Sequence, residues 1–461
     1  MEQHQVAAYI DQHRDRWLKK LFELLRIPSI SADSRYRPQV RQAGEYCVEW
    51  LRQIGFENVG LKETKNHPVV YGDWLHAGND KPTIMCYGHY DVQPTDPIEK
   101  WTSPPFEPVI RDEKIFARGA DDNKGQLATQ LCALETIFAL NKKLPVNVKV
   151  LIEGEEESDG RGTFAFVEEH RDFLACDAIA ISDSPWFDAN TPSLCYSLRG
   201  TCALEVKVRG PERDLHSGSY GGYIQNPLNA AAKIIAKLQD ERGKILVPGY
   251  YDDVVPLTDE ERAEFHSVGV DEEQLKRELG VATLWGEEGY TAVERNWARP
   301  TLDVCGLWGG YAGEGNKSVI PAEAGFKINS RVVANQKPER CVELITNYIK
   351  SVCPPGVRAD VKTIAFASPM MVSRESPYLQ AAMKAFERTF GKRPKLTREG
   401  ATIPITALFL SALKAPSILV GHGLLSDVIH SPNENFPLDQ LFKGIRGNIA
   451  LYEEFAHVLH Q

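Results

Sequence analysis

Apolar residues at Ile10, Trp17, Leu21 and Leu24 keep one side of the opening segment hydrophobic until Pro28 interrupts it, which predicts an amphipathic first helix. Residues 83–87, Thr-Ile-Met-Cys-Tyr, form a short unbroken apolar run, as a strand covered on both faces requires. Similar runs at 146–152 and 178–181 predict two more strands, and Leu127, Leu131, Leu134 and Phe138 predict a helix between the first two. Such alternation defines an α/β domain with a mixed, mostly parallel sheet flanked by helices. Near residue 196 the pattern changes. Residues 203–208 alternate as a half-exposed strand, and Asn226-Pro227 opens an alanine-rich helix running to Leu238. A polar, acidic stretch from 252 to about 294 follows, then 326–329 reads as strand and 338–349 as helix. That order suits a small α+β module with its helices on one face. From about 368 the first pattern returns, with a helix over 379–390 and a buried strand over 417–420. The expected organisation is a discontinuous domain, 1–195 with 368–461, carrying an inserted domain over 196–367.

With 461 residues, 43% apolar and 25% charged, the chain has an ordinary globular composition. Its formal charge of −10 lacks the basic footprint that nucleic acids demand, so no nucleic-acid partner is expected. Nine cysteines without a CxxC pair fit a reducing compartment. Met1-Glu2-Gln3-His4-Gln5 has neither the basic nor the apolar region of a signal peptide, and no apolar run approaches the roughly 18–20 residues of a spanning helix. A cytoplasmic protein with no membrane partner is the expectation.

Candidate chemistry gathers where the predicted strands end. His89 closes the first apolar run, and Asp91, two residues on, is placed to accept the imidazole's other N–H and fix its tautomer. Asp121 and Asp122 stand just before the helix near Gln126, where aspartate can bridge two cations or simply cap the helix; spacing leaves both roles open. After 146–152 come Glu153, Glu155, Glu156 and Glu157, a charge run at a strand end that is relieved if one glutamate binds a cation and a neighbour carries a proton. Asp183 and His430 likewise lie beyond strand ends. Two histidines and three carboxylates, His89, Asp122, Glu157, Asp183 and His430, suit two divalent ions sharing Asp122. Zinc heads the choice, with manganese and cobalt also accepted by such carboxylate-rich sites.

The order of motifs resembles that of the carnosinase-type cytosolic dipeptidases within the aminoacylase and carboxypeptidase superfamily of two-metal peptidases. The likeness spans nearly the whole chain: Gly88-His89-Tyr90-Asp91-Val92-Gln93-Pro94, Asp122-Asn123-Lys124-Gly125, Glu156-Glu157, Ser182-Asp183 and His430-Ser431-Pro432-Asn433-Glu434. The resemblance implies that His89 and Asp183 hold one metal, Glu157 and His430 the other, with Asp122 bridging, Glu156 as general base and Asp91 orienting His89. Only the resemblance prefers Glu156 to Glu155. It also implies a ferredoxin-like lid and dimerisation domain in the insertion. There Asp214-Leu215-His216-Ser217-Gly218, Asn316-Lys317-Ser318-Val319-Ile320-Pro321 and Arg331 match. His216 would reach the partner subunit's site of a homodimer, and Arg331 would bind the substrate carboxylate, with Ser318, Arg398 and Thr402 as further substrate contacts. A turn histidine bonded to Asp214, and a strand-end salt bridge at Arg331, are the structural alternatives. Ala401-Thr402 and Asp159-Gly160 depart from the family's more usual Gly-Ser, which bears on substrate preference. The implied activity is dipeptide hydrolysis on a small peptide substrate, with N-acyl-amino-acid deacylation or an inactive scaffold as alternatives.

Overall fold

Three of the apolar runs become the centre of one sheet. The structure, a computed structural model, describes residues 2–458. Its strands include β1 (Glu57–Lys62), β2 (Val69–Trp74), β3 (Thr83–His89), β4 (Asn147–Glu153), β5 (Ala178–Ile181), β6 (Ser193–Leu198), β7 (Gly200–Arg209), β8 (Thr301–Gly309), β9 (Glu323–Val332), β10 (Arg358–Ala367) and β11 (Ser417–Leu419). The longer helices are α1 (Gln3–Leu25), α2 (Arg37–Ile54), α3 (Lys124–Asn141), α4 (Pro227–Ile235), α5 (Pro338–Val352), α6 (Pro377–Phe390) and α7 (Leu438–Phe455). Among the described residues no helix is long and apolar enough to cross a membrane.

The chain divides into two units. The first comprises the residues up to Tyr196, Val372–Thr397 and the chain from Leu408 onward; the second comprises Ser197–Met371 and Arg398–Ala407. Residues 398–407 thus group with the second unit, although they lie beyond 367, where the sequence pattern returns to that of the first.

In the first unit the sheet runs β1-β2-β4-β3-β5-β11-β6. The four central strands pair in parallel, and the flanking pairs β1–β2, β2–β4 and β11–β6 are antiparallel. Helices cover the sheet: α2 packs on β1 and β2, and α3 packs on β3 and against α1 and α7. Ile84 and Met85 in β3 are fully buried, which stabilises each by about 1.5–3 kcal/mol relative to exposure. Helix α3 is buried continuously from Lys124 to Ile137, so it is a core helix rather than an amphipathic one. Register brings the strand ends together: β3 and β4 end level, with His89 opposite Glu153, and β5 ends just short of them, with Ile181 opposite Tyr87.

The second unit runs β7-α4-β8-β9-α5-β10, with sheet order β8-β9-β7-β10 and antiparallel pairing throughout. This is the ferredoxin-like arrangement. Cys202, Leu204, Val206 and Val208 alternate inward along β7 and join Phe326, Ile328, Ala230, Ile234, Ile345 and Ile349 in one core, which places both helices on one face. The acidic stretch folds into three short helices, Asp259–Ser267, Glu272–Leu279 and Ala292–Ala298. Thr258 with Glu261, and Thr291 with Glu294, form capping boxes at the first and third.

Candidate active site

At the carboxyl ends of the parallel strands the structure gathers His89, Asp122, Asp183, Glu157 and His430. Two groups of donor atoms, His89–Asp122–Asp183 and Asp122–Glu157–His430, each lie within 4.8 Å of one another and share Asp122. His89 Nε2 stands 3.2 Å from Asp122 Oδ1 and 3.9 Å from Asp183 Oδ2. His430 Nε2 stands 2.9 Å from Asp122 Oδ2 and 3.3 Å from Glu157 Oε1. The two Asp122 oxygens therefore face different histidines. Helix α3 is capped at Asn123 without a side-chain bond, so Asp122 is not spent on capping.

The surroundings fit a pair of cations. His89 Nε2 and Glu157 Oε1 are buried without a well-formed hydrogen bond, although both are crowded by polar groups. A lone pair aimed among carboxylates is satisfied by a cation between them. At the other ring nitrogen, His89 Nδ1 lies 3.1 Å from the Asp91 carbonyl and 3.4 Å from its carboxylate. Both contacts favour the proton on Nδ1 and leave Nε2 as the donor of a lone pair. Asp91 is itself held, since Ser31 Oγ and the Glu157 backbone N–H both donate to its Oδ2, at 2.6 and 3.0 Å.

Electrostatics carry the same mark. Burial disfavours charge on His89, but Asp122, Asp91 and Asp183 outweigh it and hold its pKa well above the ordinary value. Hydrogen bonds to Asp122 and Glu157 raise His430 to about 10. Burial opposes charge on Asp122 too, yet the two histidines bring its pKa down. Asp183 is pushed up to about 7 by burial and by the Asp122 charge. A cluster that binds protons this strongly is one that positive charge stabilises.

The glutamate run separates by environment. Glu155 is fully buried and committed, accepting from Asn66 Nδ2 at 2.7 Å and from the Thr163 backbone N–H. Glu153 accepts from the Tyr87 hydroxyl. Glu157 accepts from Gln93 Nε2 at 2.8 Å. Glu156 carries no side-chain hydrogen bond among the described residues. Burial, reinforced by Glu157, Asp183 and Glu153 against the opposing charge of His89, lifts its pKa well above the carboxylate range.

Residues to which the sequence pattern assigns no role hold this centre in place. Asn123 Nδ2 donates to Asp183 Oδ1 at 2.8 Å and to the Ser182 carbonyl at 2.7 Å, while its Oδ1 accepts from the His89 backbone N–H at 3.2 Å. Gly88 leaves room for that amide: a Cβ there would stand 2.9 Å from Asn123 Oδ1. Glu434 accepts from the backbone N–H groups of Gly119, Asp121 and Asp122, each at 3.1 Å, and from Arg118 Nη1 at 2.6 Å. All three residues stand inside the motifs already singled out, but spacing does not reveal which group each one bonds.

In the second unit, β-bridge pairing of Leu215–His216 with Val319–Ile320 brings His216 beside Ser318, whose carbonyl accepts from the Ser217 N–H at 3.1 Å. His216 Nδ1 accepts from the Gly218 and Ser219 N–H groups at 3.0 and 3.2 Å, which leaves the proton on an exposed Nε2. Asp214 does not hold it; that carboxylate accepts from the Ala322 N–H instead. Arg331 Nη1 donates to Thr402 Oγ1 at 2.9 Å, and no carboxylate pairs with it among the described residues. Arg398 is 4% exposed and engaged by the Glu261 carboxylate, so its guanidinium is used within the unit.

Histidines and carboxylates grouped in this way at the ends of parallel strands are the kind of donor set that a metal-dependent hydrolase uses. The model of peptidase family M20/M25/M40 matches residues 85–454. The chain belongs to that family and is a metallopeptidase. It is 32% identical to a Cys-Gly metallodipeptidase of Schizosaccharomyces pombe over 99% of each chain. It is 29% identical to the Beta-Ala-His dipeptidase of Homo sapiens, over 98% of this chain and 92% of that one. Among solved structures, an M20 family metallo-carboxypeptidase from Sulfolobus solfataricus superposes with a TM-score of 0.86 at 32% identity, covering 96% of this chain and 99% of that one.

Proposed function

We propose that this metallopeptidase is a dipeptidase that cleaves the peptide bond of dipeptides bearing a free C-terminal carboxylate and works with two divalent ions, zinc foremost. The observation that carries the reading is the pair of three-residue groups sharing Asp122. His89 and Asp183 would hold one ion, Glu157 and His430 the other, with Asp122 between them and Asp91 orienting His89. Such ions, when bound, polarise a carbonyl and acidify water. Glu156 takes the proton of the attacking water and returns it to the leaving amine. Its proton affinity, raised by burial and by the neighbouring carboxylates, suits a group that must both accept and donate a proton. Arg331 and Thr402 take the substrate carboxylate, Ser318 lines the His216 turn, and Arg398 braces the 398–402 segment through Glu261.

A dimer formed through the second unit is part of the reading. Val304 and Leu307 on β8, and Ile364 and Phe366 on β10, are exposed apolar residues on the two edge strands of its sheet, and exposed His216 is the group that would serve a partner subunit. Sedimentation equilibrium should therefore give twice the chain mass, and a monomer at micromolar concentration removes that part of the reading. Free cysteines at all nine positions fit a cytoplasmic protein.

A second reading, carboxypeptidase action on longer peptides, draws on the Sulfolobus solfataricus relative. One substrate panel separates the two readings from deacylation: dipeptides, a pentapeptide, N-acetyl amino acids and a dipeptide amide. Dipeptides should be cleaved with the highest kcat/KM, and amidating the C-terminal carboxylate should cost about 10- to 100-fold, the worth of a charge-assisted hydrogen bond to Arg331. Preference for the pentapeptide or for acetylated substrates would overturn the assignment.

A further inference from the structure

Within the second unit lies a cavity of about 430 Å³ whose lining includes Arg199, Arg295, Arg299 and Arg331 together with Glu287 and Asp303. The acids do not balance the arginines. Glu287 is taken up by Arg299, whose Nε and Nη2 donate to its two oxygens at 2.9 and 2.7 Å. Asp303 is exposed on edge strand β8, where water screens it. Arg199 is 7% exposed and forms no ion pair among the described residues. Its Nε donates to the Gly400 carbonyl at 3.0 Å, while its Nη1 is buried without a hydrogen-bond partner. Burial together with repulsion from Arg331 pushes its pKa down to about 10, outweighing Glu399 and Asp303, which favour its charge without forming an ion pair with it.

The cavity is built around these cations. Gly400 admits the Arg199 group, because a Cβ there would stand 2.8 Å from Nη2 and 2.6 Å from the Asn296 side chain. Thr402 ties the two arginines together, accepting from Arg331 Nη1 and donating to the Arg199 carbonyl at 2.7 Å. Arg295 lies across Gly286, where a Cβ would stand 2.7 Å from its Cδ, and its Nε donates to the Glu287 carbonyl at 3.0 Å. The half-buried Arg295 is the wall's accessible arm, and the buried Arg199 stands in the same wall as a charge held by no ion pair among the described residues.

A peptide's C-terminal side chain branches from the same carbon as its α-carboxylate. With that carboxylate on Arg331, a side chain turned to the same side would meet the cavity that Arg331 lines. We propose that this cavity selects a carboxylate on the substrate's C-terminal residue, so that dipeptides ending in glutamate or aspartate are preferred; the inference rests on the role given to Arg331 above. Arg295 meets the side-chain carboxylate, and Arg199 acts on it through position and field rather than by contact.

The test compares Gly-Glu with its near-isostere Gly-Gln, alongside thermal-shift titrations of the metal-loaded protein with free glutamate and glutamine. KM should be about tenfold lower for Gly-Glu with kcat alike, as one added charge-assisted hydrogen bond predicts. Glutamate should stabilise the protein at lower concentration than glutamine. Arg295→Gln should equalise both comparisons while leaving Gly-Gln turnover unchanged. Arg199→Gln should do the same, and Arg199→Lys should restore the preference, which a purely structural role would not. Dipeptide cleavage without discrimination in the wild type, or discrimination that survives Arg295→Gln and Arg199→Gln, overturns the inference and leaves the dipeptidase reading standing. Glutamate-selective stabilisation lost in Arg295→Gln, with no dipeptide cleaved, overturns the dipeptidase reading and leaves the cavity's selectivity standing.

Discussion

Glu156→Gln is expected to retain its full complement of metal and to lose about 10²- to 10⁴-fold in kcat, the usual contribution of a positioned general base. The substitution preserves shape and removes only the ability to carry a proton. Glu155 is the control. Its oxygens are occupied by Asn66 and the Thr163 N–H, so Glu155→Gln should lower thermal stability while a folded fraction keeps near-normal turnover per metal-loaded site. Elemental analysis and steady-state kinetics on the two variants decide the matter. A metal-replete Glu156→Gln enzyme with near-normal turnover would falsify the assignment.

Asp122→Ala is expected to act differently, by emptying the centre. Each cation group contains this aspartate, and its two oxygens point to His89 and His430 separately. Without it each group keeps only two of its three donors, fewer than the three protein ligands that catalytic zinc sites ordinarily use. Metal content should fall from about two per chain toward none, with activity lost in parallel and recovered little by added zinc. If one ion stays tightly bound in the variant, the shared-ligand arrangement is wrong.

How much of the fold is legible in the sequence depends on what each segment packs against. Strand β3 can be read because both of its faces are covered and the apolar run is unbroken. Strands β8 and β10 escape the pattern because each is an edge strand with exposed positions; in β10, five consecutive residues from Lys362 to Phe366 are exposed. No alternation survives there for a pattern to catch. The acidic stretch reads only as polar by charge, yet it carries two Thr-x-x-Glu signatures, at Thr258 and Thr291, that mark helix starts. In the active centre the ligand types and their places beyond strand ends are visible in sequence. The roles proposed for them rest on the resemblance of the motif order to that of the family. What spacing cannot give is partnership: Glu155 differs from Glu156 through Asn66, 89 residues away, and Arg398 finds Glu261, 137 residues away.

The grip of Glu434 on the amides of Gly119, Asp121 and Asp122 has a consequence for biogenesis. Asp122 is held in place by a residue synthesised 312 positions later, and His430 emerges from the ribosome with it. A nascent chain that has made only the first strands and α3 therefore offers cations an unbraced loop and one histidine, too few anchors to retain them. The second donor group, which needs His430, and the Glu434 brace are complete only when translation is nearly finished, after the whole intervening domain has been threaded out.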